Sequence, residues 1–364
     1  MSRRGLAALV ALVMPAGCAV ATEPGVPTAT SSAQPEQFTL VATGDVLIHP
    51  ALTEQAEADA ESGRDFRPLF AGVRPMISSA DLALCHLEVP LAGPDGPFSG
   101  YPSFSAPPEV ADALAGTGYD ACSTASNHTL DQGEKGVRST LDALDKAGLQ
   151  HTGSYRSEKE SREPLLLEVG DVLVGHVSMT FGFNGISLPD DKPWLADELD
   201  VQAAARKAAA ARKAGADVVV VSAHWGVEHQ HDPSLEQRKM AEQLLADENI
   251  DLVLGHHAHA VQPMEKIGDE WVAYGLGNHV ARHEDPTGDT EDGIAARFAF
   301  RRNGSGWTVH KAEYLPTFVD LGPPIRLKDL SREEEGAYAE SLERIDEAVL
   351  SLGADEDGLT RPGR

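Results

Sequence analysis

Short apolar segments rich in β-branched residues alternate with helical segments from Phe38 onward, and this alternation constrains the fold more than any other feature. The run Val218–Ser222 shows no alternation of polar and apolar residues, as expected for a strand buried on both faces of a parallel sheet. Strands separated by helices indicate an α/β architecture. The predicted strands are Phe38–Thr43, Leu82–Leu87, Tyr119–Ser123, Val218–Ser222 and Leu252–Leu254.

Helical segments separate these strands, and in two of them a proline stands at or near the first turn, where its fixed φ suits a helix. Apolar spacing predicts helices over Pro107–Ala115, Glu134–Ala147, Ala196–Ala214, Pro233–Asp247 and Glu333–Leu352. Turn residues between apolar runs predict strand pairs within 165–179, 261–274 and 294–315. Because the chain shows no internal repeat and no interdomain linker, we predict one domain from 38 to 352 and a disordered tail from 353 to 364.

Polar side chains follow all five predicted strands at their carboxyl ends, where open α/β sheets place their ligand sites. Eight of the fourteen histidines also lie within 224–283. We therefore expect a functional site at this edge of the sheet. Its candidates are Asp45, Glu88, Asn127, His128, His224 and the cluster His256-His257-Ala258-His259.

Each candidate also has a structural explanation. Asp45 can cap a helix, Glu88 can be an exposed loop carboxylate, and Asn127 can be a turn residue. Their shared position at strand ends favours a metal site instead, because carboxylate, amide oxygen and imidazole together suit divalent Mn, Fe or Zn. One carboxylate can bridge two ions, and such a pair can activate a water and stabilise a leaving oxygen. We predict two divalent ions of unassigned identity.

In order and spacing, these motifs resemble the bacterial CapA family, named for poly-γ-glutamate capsule synthesis, within the calcineurin-like metallophosphatase superfamily. His86, Ser126 and His279 depart from the family pattern, which usually has Asn, Asn and Phe there. Whether His86 and His279 bind a metal or only pack, and what His49 does, stays open. The resemblance rests on Thr43-Gly44-Asp45-Val46, Leu87-Glu88-Val89-Pro90-Leu91, 104–110, Ala125-Ser126-Asn127-His128, His224-Trp225-Gly226-Val227-Glu228, 255–259 and 274–278.

The resemblance implies a calcineurin-like fold, a layered α/β/β/α sandwich with its site at the carboxyl ends of the strands. His128 matches the histidine that protonates the leaving group, and Asp131 would orient it. Glu88 stands where phosphoesterases use a bridging aspartate. The implied ligands of the dinuclear centre are Asp45, Glu88, Asn127, His224, His257 and His259.

The resemblance therefore implies an envelope protein of capsule or poly-γ-glutamate synthesis or processing that hydrolyses a phosphoester or an amide. Its substrate would be an anionic or γ-glutamyl polymer or a phosphoester. The alternative is a non-catalytic scaffold or accessory component of a polymer synthesis and export complex.

Cys85 and Cys122 lie shortly before Glu88 and Asn127, on strands expected to be near each other in this fold. In an exported protein they can form a disulfide. As buried thiols they would pack like small hydrophobic side chains, an interpretation the sequence slightly favours.

The N-terminal segment resembles an export signal. Arg3 and Arg4 precede an apolar stretch and then small residues, a pattern typical of a signal peptide over 1–17. Ala16-Gly17-Cys18 also resembles a lipobox, which predicts a cell-envelope lipoprotein anchored at Cys18; the alternative is a secreted soluble protein. The composition of 18–37 predicts a flexible tether.

The chain is strongly acidic, with 57 acidic and 30 basic residues and a formal net charge of −27. Such a surface repels phosphate backbones and anionic headgroups. We therefore expect no nucleic-acid partner and no membrane contact except through a lipid anchor.

Overall fold

The computed structural model describes residues 36–283, 287–304, 306–331, 336 and 338–362. The predicted signal peptide, the lipidation site Cys18 and most of the predicted tether lie outside these residues, so those predictions stay untested. The first strand begins at Gln37, one residue inside the predicted tether.

Apolar and β-branched runs form the strands, which supply the framework for the site. In chain order they are β1 Gln37–Val46, β2 Leu82–Leu87, β3 Ala121–Ser123, β4 Gln150–Thr152, β5 Leu165–Val169, β6 Val172–Thr180, β7 Val218–His224, β8 Leu252–His256, β9 Met264–Ile267, β10 Glu270–Ala273, β11 Asn278–Val280, β12 Asp292–Asn303, β13 Gly306–Asp320, β14 Arg326–Asp329 and β15 Leu359–Thr360.

Most helices connect parallel strands and cover the outer faces of the sheets, whereas the last one packs on the core between the sheets. Within the described ranges, none is both long and apolar enough to span a bilayer. They are α1 Pro50–Asp59, α2 Arg67–Phe70, α3 Arg74–Ile77, α4 Glu109–Thr117, α5 Gly133–Ala147, α6 Glu158–Arg162, α7 Val201–Lys213, α8 Leu235–Leu245 and α9 Ala339–Leu350.

The strands form two sheets. The nine-stranded sheet has the order β14-β13-β12-β1-β2-β3-β4, with β11 beside β1 and β15 beside β13. Its strands β1 to β4 are parallel, so their carboxyl ends share one edge. The six-stranded sheet has the order β5-β6-β7-β8-β10-β9, in which β6, β7, β8 and β10 are parallel.

Three apolar clusters hold the layers together. Inward side chains of both sheets, such as Leu40 and Leu84 from one and Val220 and Leu254 from the other, pack against each other. A second cluster packs helices α1 to α5 on the nine-stranded sheet, and a third packs α7 and α8 on the six-stranded sheet. The predicted layered α/β/β/α arrangement is confirmed.

All five predicted strands are present, and β2 has the predicted bounds Leu82–Leu87. The helix predicted over Ala196–Ala214 begins later, at Val201, because the Asp200 side chain accepts a hydrogen bond from the Ala203 N–H and caps it there. The helix predicted over Glu333–Leu352 is present as α9, from Ala339 to Leu350. Residues 332–335 and 337 lie outside the described part.

The prediction of a disordered tail from 353 is wrong for the described residues, which extend to 362. Leu359–Thr360 forms strand β15 parallel to β13. Ala354 and Leu359 are buried in the core between the sheets. These two buried side chains and the pairing with β13 hold this segment on the domain, which therefore extends beyond 352.

Cys85 and Cys122 form a disulfide. They are paired in register on the adjacent parallel strands β2 and β3. The interpretation of two free buried thiols is therefore wrong. The bond links the strand that precedes Glu88 to the strand that precedes Asn127.

Candidate metal centre

The three predicted oxygen ligands lie at the carboxyl ends of strands in the nine-stranded sheet. Asp45 is the penultimate residue of β1, and Glu88 directly follows β2. Asn127 lies in the turn after β3, where the Ser126 hydroxyl donates a 2.5 Å hydrogen bond to the carbonyl oxygen of Glu88. All three ligand side chains are buried. The parallel strands thus bring two carboxylates and an amide to one place.

The predicted histidine ligands come from the six-stranded sheet. His224 is the last residue of β7, and His257 and His259 follow β8. The φ angles of His257 and His259 are 90° and 50°, in the left-handed region that side chains disfavour. Holding a non-glycine residue there costs on the order of 1–3 kcal/mol and is typical of functional sites. The backbone curves at these two positions, so both imidazoles reach the same site.

Two glycines allow the strand ends to approach neighbouring backbone. A Cβ on Gly44, just before Asp45, would lie 2.0 Å from the carbonyl oxygen of Gly277. A Cβ on Gly255, just before His256, would lie 1.8 Å from a carbonyl oxygen. Because neither distance is sterically allowed, both positions require glycine.

The two sets of ligands converge. Ligand atoms of Asp45, Glu88 and His259 lie within 4.8 Å of one another, and so do those of Glu88, His224 and His257. Glu88 belongs to both groups. Asn127 Oδ1 lies 2.9 Å from His224 Nε2, beside the second group. The structure therefore brings together all six residues of the predicted ligand set.

The environment of Glu88 fits a bound cation. Both of its carboxylate oxygens are buried, and neither accepts a hydrogen bond from a described residue. The nearest basic atom paired with it is His259 Nε2, at 3.6 Å. A buried carboxylate without such bonds is costly, and a metal ion is one of the few partners that can offset this cost. The residues present fit a divalent metal, and Glu88 is common to two of the ligand groups.

Proton affinities in the cluster are strongly shifted. Burial raises the pKa of Glu88 to about 7. Burial also disfavours the charged form of Asp45, but hydrogen bonds from His256 and His259 outweigh it and hold the pKa of Asp45 well below its usual value. For His259, the nearby Glu88 and Asp45 outweigh burial and raise the pKa to about 10. Burial lowers the pKa of His257 to about 4.

His128 and Asp131 form a second unit beside the ligands. His128 Nδ1 lies 2.8 Å from Asp131 Oδ2, which also accepts a 2.7 Å hydrogen bond from the N–H of Phe104. Burial opposes protonation of His128, yet Asp131 and Glu88 raise its pKa. His128 and His259 both line a cavity of about 700 Å³. The structure thus brings the predicted acid and its orienting carboxylate together next to the ligand cluster.

Residues 39–283 match the family model described as "Bacterial capsule synthesis protein PGA_cap". This range covers more than half of the chain. The chain belongs to the PGA_cap family. The resemblance inferred from the motifs is confirmed.

Curated relatives of this PGA_cap protein include two capsule proteins. It is 27% identical to the "Capsule biosynthesis protein CapA" of Bacillus anthracis, over 74% of this chain and 66% of that protein. It is 25% identical to the "PGA biosynthesis protein CapA" of Bacillus subtilis, over 68% of this chain and 65% of that protein. The chain therefore spans about two thirds of the length of these relatives.

Among solved structures, the PGA_cap chain is similar to the "calcineurin-like phosphoesterase YfkN from Bacillus subtilis". The two share 14% sequence identity with a TM-score of 0.46. The match covers 86% of this chain and 96% of the other.

Two further histidines of the PGA_cap domain lie against the ligands. His256 Nδ1 is 3.2 Å from Asp45 Oδ1, and His86 Nε2 is 3.0 Å from His224 Nδ1. The sequence prediction left His256 out of the ligand set and left the role of His86 open. The spacing of His86 contains a clue, since it precedes Glu88 by two residues on an extended segment and so points to the same face.

His279 and His49 have other surroundings. His279 Nε2 lies 2.8 Å from the buried Tyr119 hydroxyl, and burial lowers the pKa of His279 to about 3. His49 lines the cavity, and its Nδ1 accepts a 3.1 Å hydrogen bond from the N–H of Arg282. Neither histidine belongs to a candidate metal group among the described residues.

Sequence reasoning assigned no role to Glu228. Its carboxylate forms a candidate metal group with His257 and His259, and it lines the same cavity as His128. Unlike the six predicted ligands, it is exposed. The position of Glu228 four residues after His224, within the same motif, is the one indication in the sequence.

Proposed function

We propose that this protein is an exported, metal-dependent hydrolase of the cell envelope that acts in the synthesis or processing of a capsule polymer such as poly-γ-glutamate. The observation that carries the hydrolase part is Glu88, a buried carboxylate without hydrogen bonds that two ligand groups share. The polymer part is supported by the names of the two CapA relatives, which concern capsule and PGA biosynthesis.

The residues divide the chemical work between them. Asp45, Glu88, Asn127, His224, His257 and His259 would hold two divalent ions of the Mn, Fe or Zn type. When bound, such ions supply Lewis-acid polarisation and a more acidic water. His128, fixed through its Nδ1 by Asp131, would protonate the leaving alkoxide or amine. This division suits hydrolysis of a phosphoester or of a γ-glutamyl amide.

The charge distribution supports an anionic substrate at this place alone. With a net charge of −27, the protein surface repels polyanions. Two divalent ions would add about +4 in one cavity, which offsets the charge of the carboxylates around it, Asp45, Glu88, Asp131 and Glu228. The metal centre is therefore the place where we expect an anionic polymer or phosphoester to bind.

Export is part of the proposal. The disulfide between Cys85 and Cys122 supports it, because disulfides persist in oxidising compartments outside the cytosol. We propose lipidation at Cys18 as the anchor. Mass spectrometry of the membrane fraction should find an acyl-modified Cys18, and an unmodified cysteine there would leave a secreted soluble protein.

Elemental analysis combined with a hydrolysis screen tests the function. The purified protein should contain two divalent ions per chain and hydrolyse at least one phosphoester or γ-glutamyl amide. His128→Ala should retain both ions and lose turnover by about 10²–10⁴-fold, the usual contribution of a general acid. A wild-type protein without stoichiometric metal would contradict the proposal.

The second candidate is a non-catalytic component of a polymer synthesis and export complex, which the names of the relatives also allow. The two candidates predict different results in one measurement, the polymer output of cells with the His128→Ala variant. If polymer output in the producing cell is the same with His128→Ala as with the wild type, the protein acts as an accessory component. If output changes while the variant remains folded and metal-bound, it acts as a hydrolase.

A further inference from the structure

Behind the candidate metal centre, buried polar groups form one continuous hydrogen-bonded chain. Asn127 Oδ1 lies 2.9 Å from His224 Nε2, and His224 Nδ1 lies 3.0 Å from His86 Nε2. His86 Nδ1 lies 2.8 Å from the Ser123 hydroxyl, which donates a 3.3 Å hydrogen bond to the carbonyl oxygen of Cys85. His86, His224 and Ser123 are completely buried.

Metal binding by His224 would fix which atom donates and which atom accepts in each of these hydrogen bonds. A metal ligand must present a lone pair, and Nε2 is the nitrogen of His224 that faces Asn127. Nδ1 of His224 then has the proton and donates a hydrogen bond to His86 Nε2. Nδ1 of His86 donates in turn to Ser123, whose hydroxyl donates to the Cys85 carbonyl. Asn127 Oδ1 and His224 Nε2 then have no proton between them, and both would face the ion. Every donor from His224 to Ser123 meets an acceptor, and both imidazoles remain neutral.

His86 also contacts His256, which lies beside the ligand group of Asp45, Glu88 and His259. Its ring stacks on His256 with 4.0 Å between ring centroids and 16° between planes, and His256 Nδ1 lies 3.2 Å from Asp45 Oδ1. The contact with His224 is a hydrogen bond, whereas the contact with His256 is only stacking. Loss of His86 would therefore affect the group of Glu88, His224 and His257 more than the group of Asp45, Glu88 and His259.

We propose that His86 is a positioning residue that fixes the ring and the tautomer of His224, so that His224 Nε2 binds the ion it shares with Glu88 and His257. The inference rests on the proposed metal centre and goes beyond it, since His86 is not one of the six ligands. Partners of this kind typically change metal affinity by 10–100-fold.

Zinc titration of the purified full chain and two variants tests the proposal. His86→Leu removes both hydrogen bonds and should weaken binding of one of the two Zn²⁺ ions by about 10–100-fold. His86→Gln keeps an amide oxygen that can accept the proton of His224 Nδ1, and its affinity should lie within about threefold of the wild type. If His86→Leu is folded by circular dichroism and binds two ions with wild-type affinity, the proposal is wrong.

His176→Leu is the matched control. His176 is also a buried histidine bonded to a serine, with 2.9 Å between its Nε2 and the Ser222 hydroxyl, but it bonds to no predicted ligand. This variant should lose stability and keep wild-type zinc affinity. If both leucine variants weaken zinc binding equally, His86 acts only through general packing, which overturns the proposal.

A measurement on the wild type covers the case in which His86→Leu does not fold. In histidine labelled with ¹⁵N, the zinc-loaded protein should show a protonated Nδ1 on His224 with a scalar coupling to Nε2 of His86 across the hydrogen bond. An unprotonated His224 Nδ1 would overturn the proposal. So would a third tightly bound zinc ion that His86→Leu alone removes, since Asp45, His86 and His256 would then be a metal site themselves.

The outcomes separate this inference from the proposed function. A wild-type protein that binds no zinc contradicts the metal centre itself. A wild-type protein that binds two ions, together with a folded His86→Leu variant that does the same, contradicts only the role of His86.

Discussion

The two sheets contribute different chemistry to the same cluster. The nine-stranded sheet supplies the oxygen atoms, from Asp45, Glu88 and Asn127. The six-stranded sheet supplies the nitrogen atoms, from His224 on β7 and from the pair after β8. Among the six predicted ligands, neither sheet supplies both oxygen and nitrogen, so this set assembles only where the two sheets meet. Glu228, which follows β7, is a further carboxylate on the nitrogen side. Apolar packing between the sheets therefore determines the geometry of the ligands.

The oxygen side of the site, with its ligands on the nine-stranded sheet, and the nitrogen side, with its ligands on the six-stranded sheet, also differ in the energetic cost of their folded arrangement. On the oxygen side the departure is electrostatic, because Glu88 is buried without hydrogen bonds. On the nitrogen side it is conformational, because His257 and His259 both have positive φ. A bound cation would relieve the first directly and would offset the second through the ligand bonds. A variant that removes the buried carboxylate therefore tests the oxygen side, and a variant that removes the backbone strain tests the nitrogen side.

The largest effect is expected for Glu88→Gln, since Glu88 is the carboxylate common to both ligand groups. The variant should lose both ions by elemental analysis and at least about 10³-fold in turnover. Without metal it should be more stable to denaturant than the metal-free wild type, because the cost of burying the Glu88 carboxylate outweighs its pairing with His259.

Asp81→Asn is the control for Glu88→Gln. Asp81 stands at the opposite, amino end of the same strand, where its carboxylate is exposed and accepts hydrogen bonds from Thr39. It should lose some stability and keep both ions. If Glu88→Gln retained two ions, the sharing of one carboxylate by both halves would be disproved.

The positions of the oxygen ligands were predictable because a strand needs only local sequence to be recognised. Asp45 and Glu88 follow runs whose β-branched and apolar composition marks them as buried strands, and parallel strands end at a common edge. The same reasoning placed His224. These predictions depend on the direction of each strand and not on how the two sheets pack.

What the sequence did not predict depends on register and on packing between sheets. The disulfide requires Cys85 to lie opposite Cys122, and a shift of one residue would point the two side chains to different faces. The contact of His256 with Asp45 crosses from one sheet to the other. The ordered segment near Leu359 depends on apolar neighbours in the core between the sheets, which only the assembled fold provides.

Stability in the absence of metal should depend on pH through a contact between the halves. His259 pairs with Asp45 at 3.3 Å and with Glu88 at 3.6 Å, and its pKa is raised to about 10. A raised histidine pKa stabilises the fold fully below the unfolded value of about 6.5, and this stabilisation is lost as pH rises through about 10. The free energy of unfolding of the metal-free protein should therefore fall by a few kcal/mol over that range.

Denaturant titrations of the metal-free protein between pH 6 and 10 measure this slope. A saturating divalent ion should reduce it, because the ion replaces the proton as the positive charge beside the carboxylates. His259→Asn should remove it in the metal-free protein. An equal slope in wild type and His259→Asn would show that other groups cause the pH dependence.

A smaller effect is expected for Asp131→Asn. His128 follows β3 on the oxygen side. Its partner Asp131 is a carboxylate that does not belong to the predicted ligand set. The variant should keep both ions and lose about 10–100-fold in turnover, because an amide orients the imidazole without stabilising its cation. Loss of metal from Asp131→Asn would mean that this pair belongs to the ligand cluster. Asp142→Asn, an exposed residue on α5, provides a control with the same chemical change.

The smallest effect is expected from the backbone strain at His257 on the nitrogen side. His257→Ala and His257→Gly both remove the imidazole and should weaken metal binding equally, but only glycine adopts a φ of 90° without cost. In the metal-free protein, His257→Gly should therefore be more stable to denaturant than His257→Ala by about 1 kcal/mol. Gly is otherwise the more flexible residue and destabilises the folded state relative to Ala, so the reversed order is specific to a strained backbone. If His257→Ala proved as stable as His257→Gly or more so, the backbone at His257 would not be strained. The two sides of the site would then differ only in the buried charge of the oxygen side.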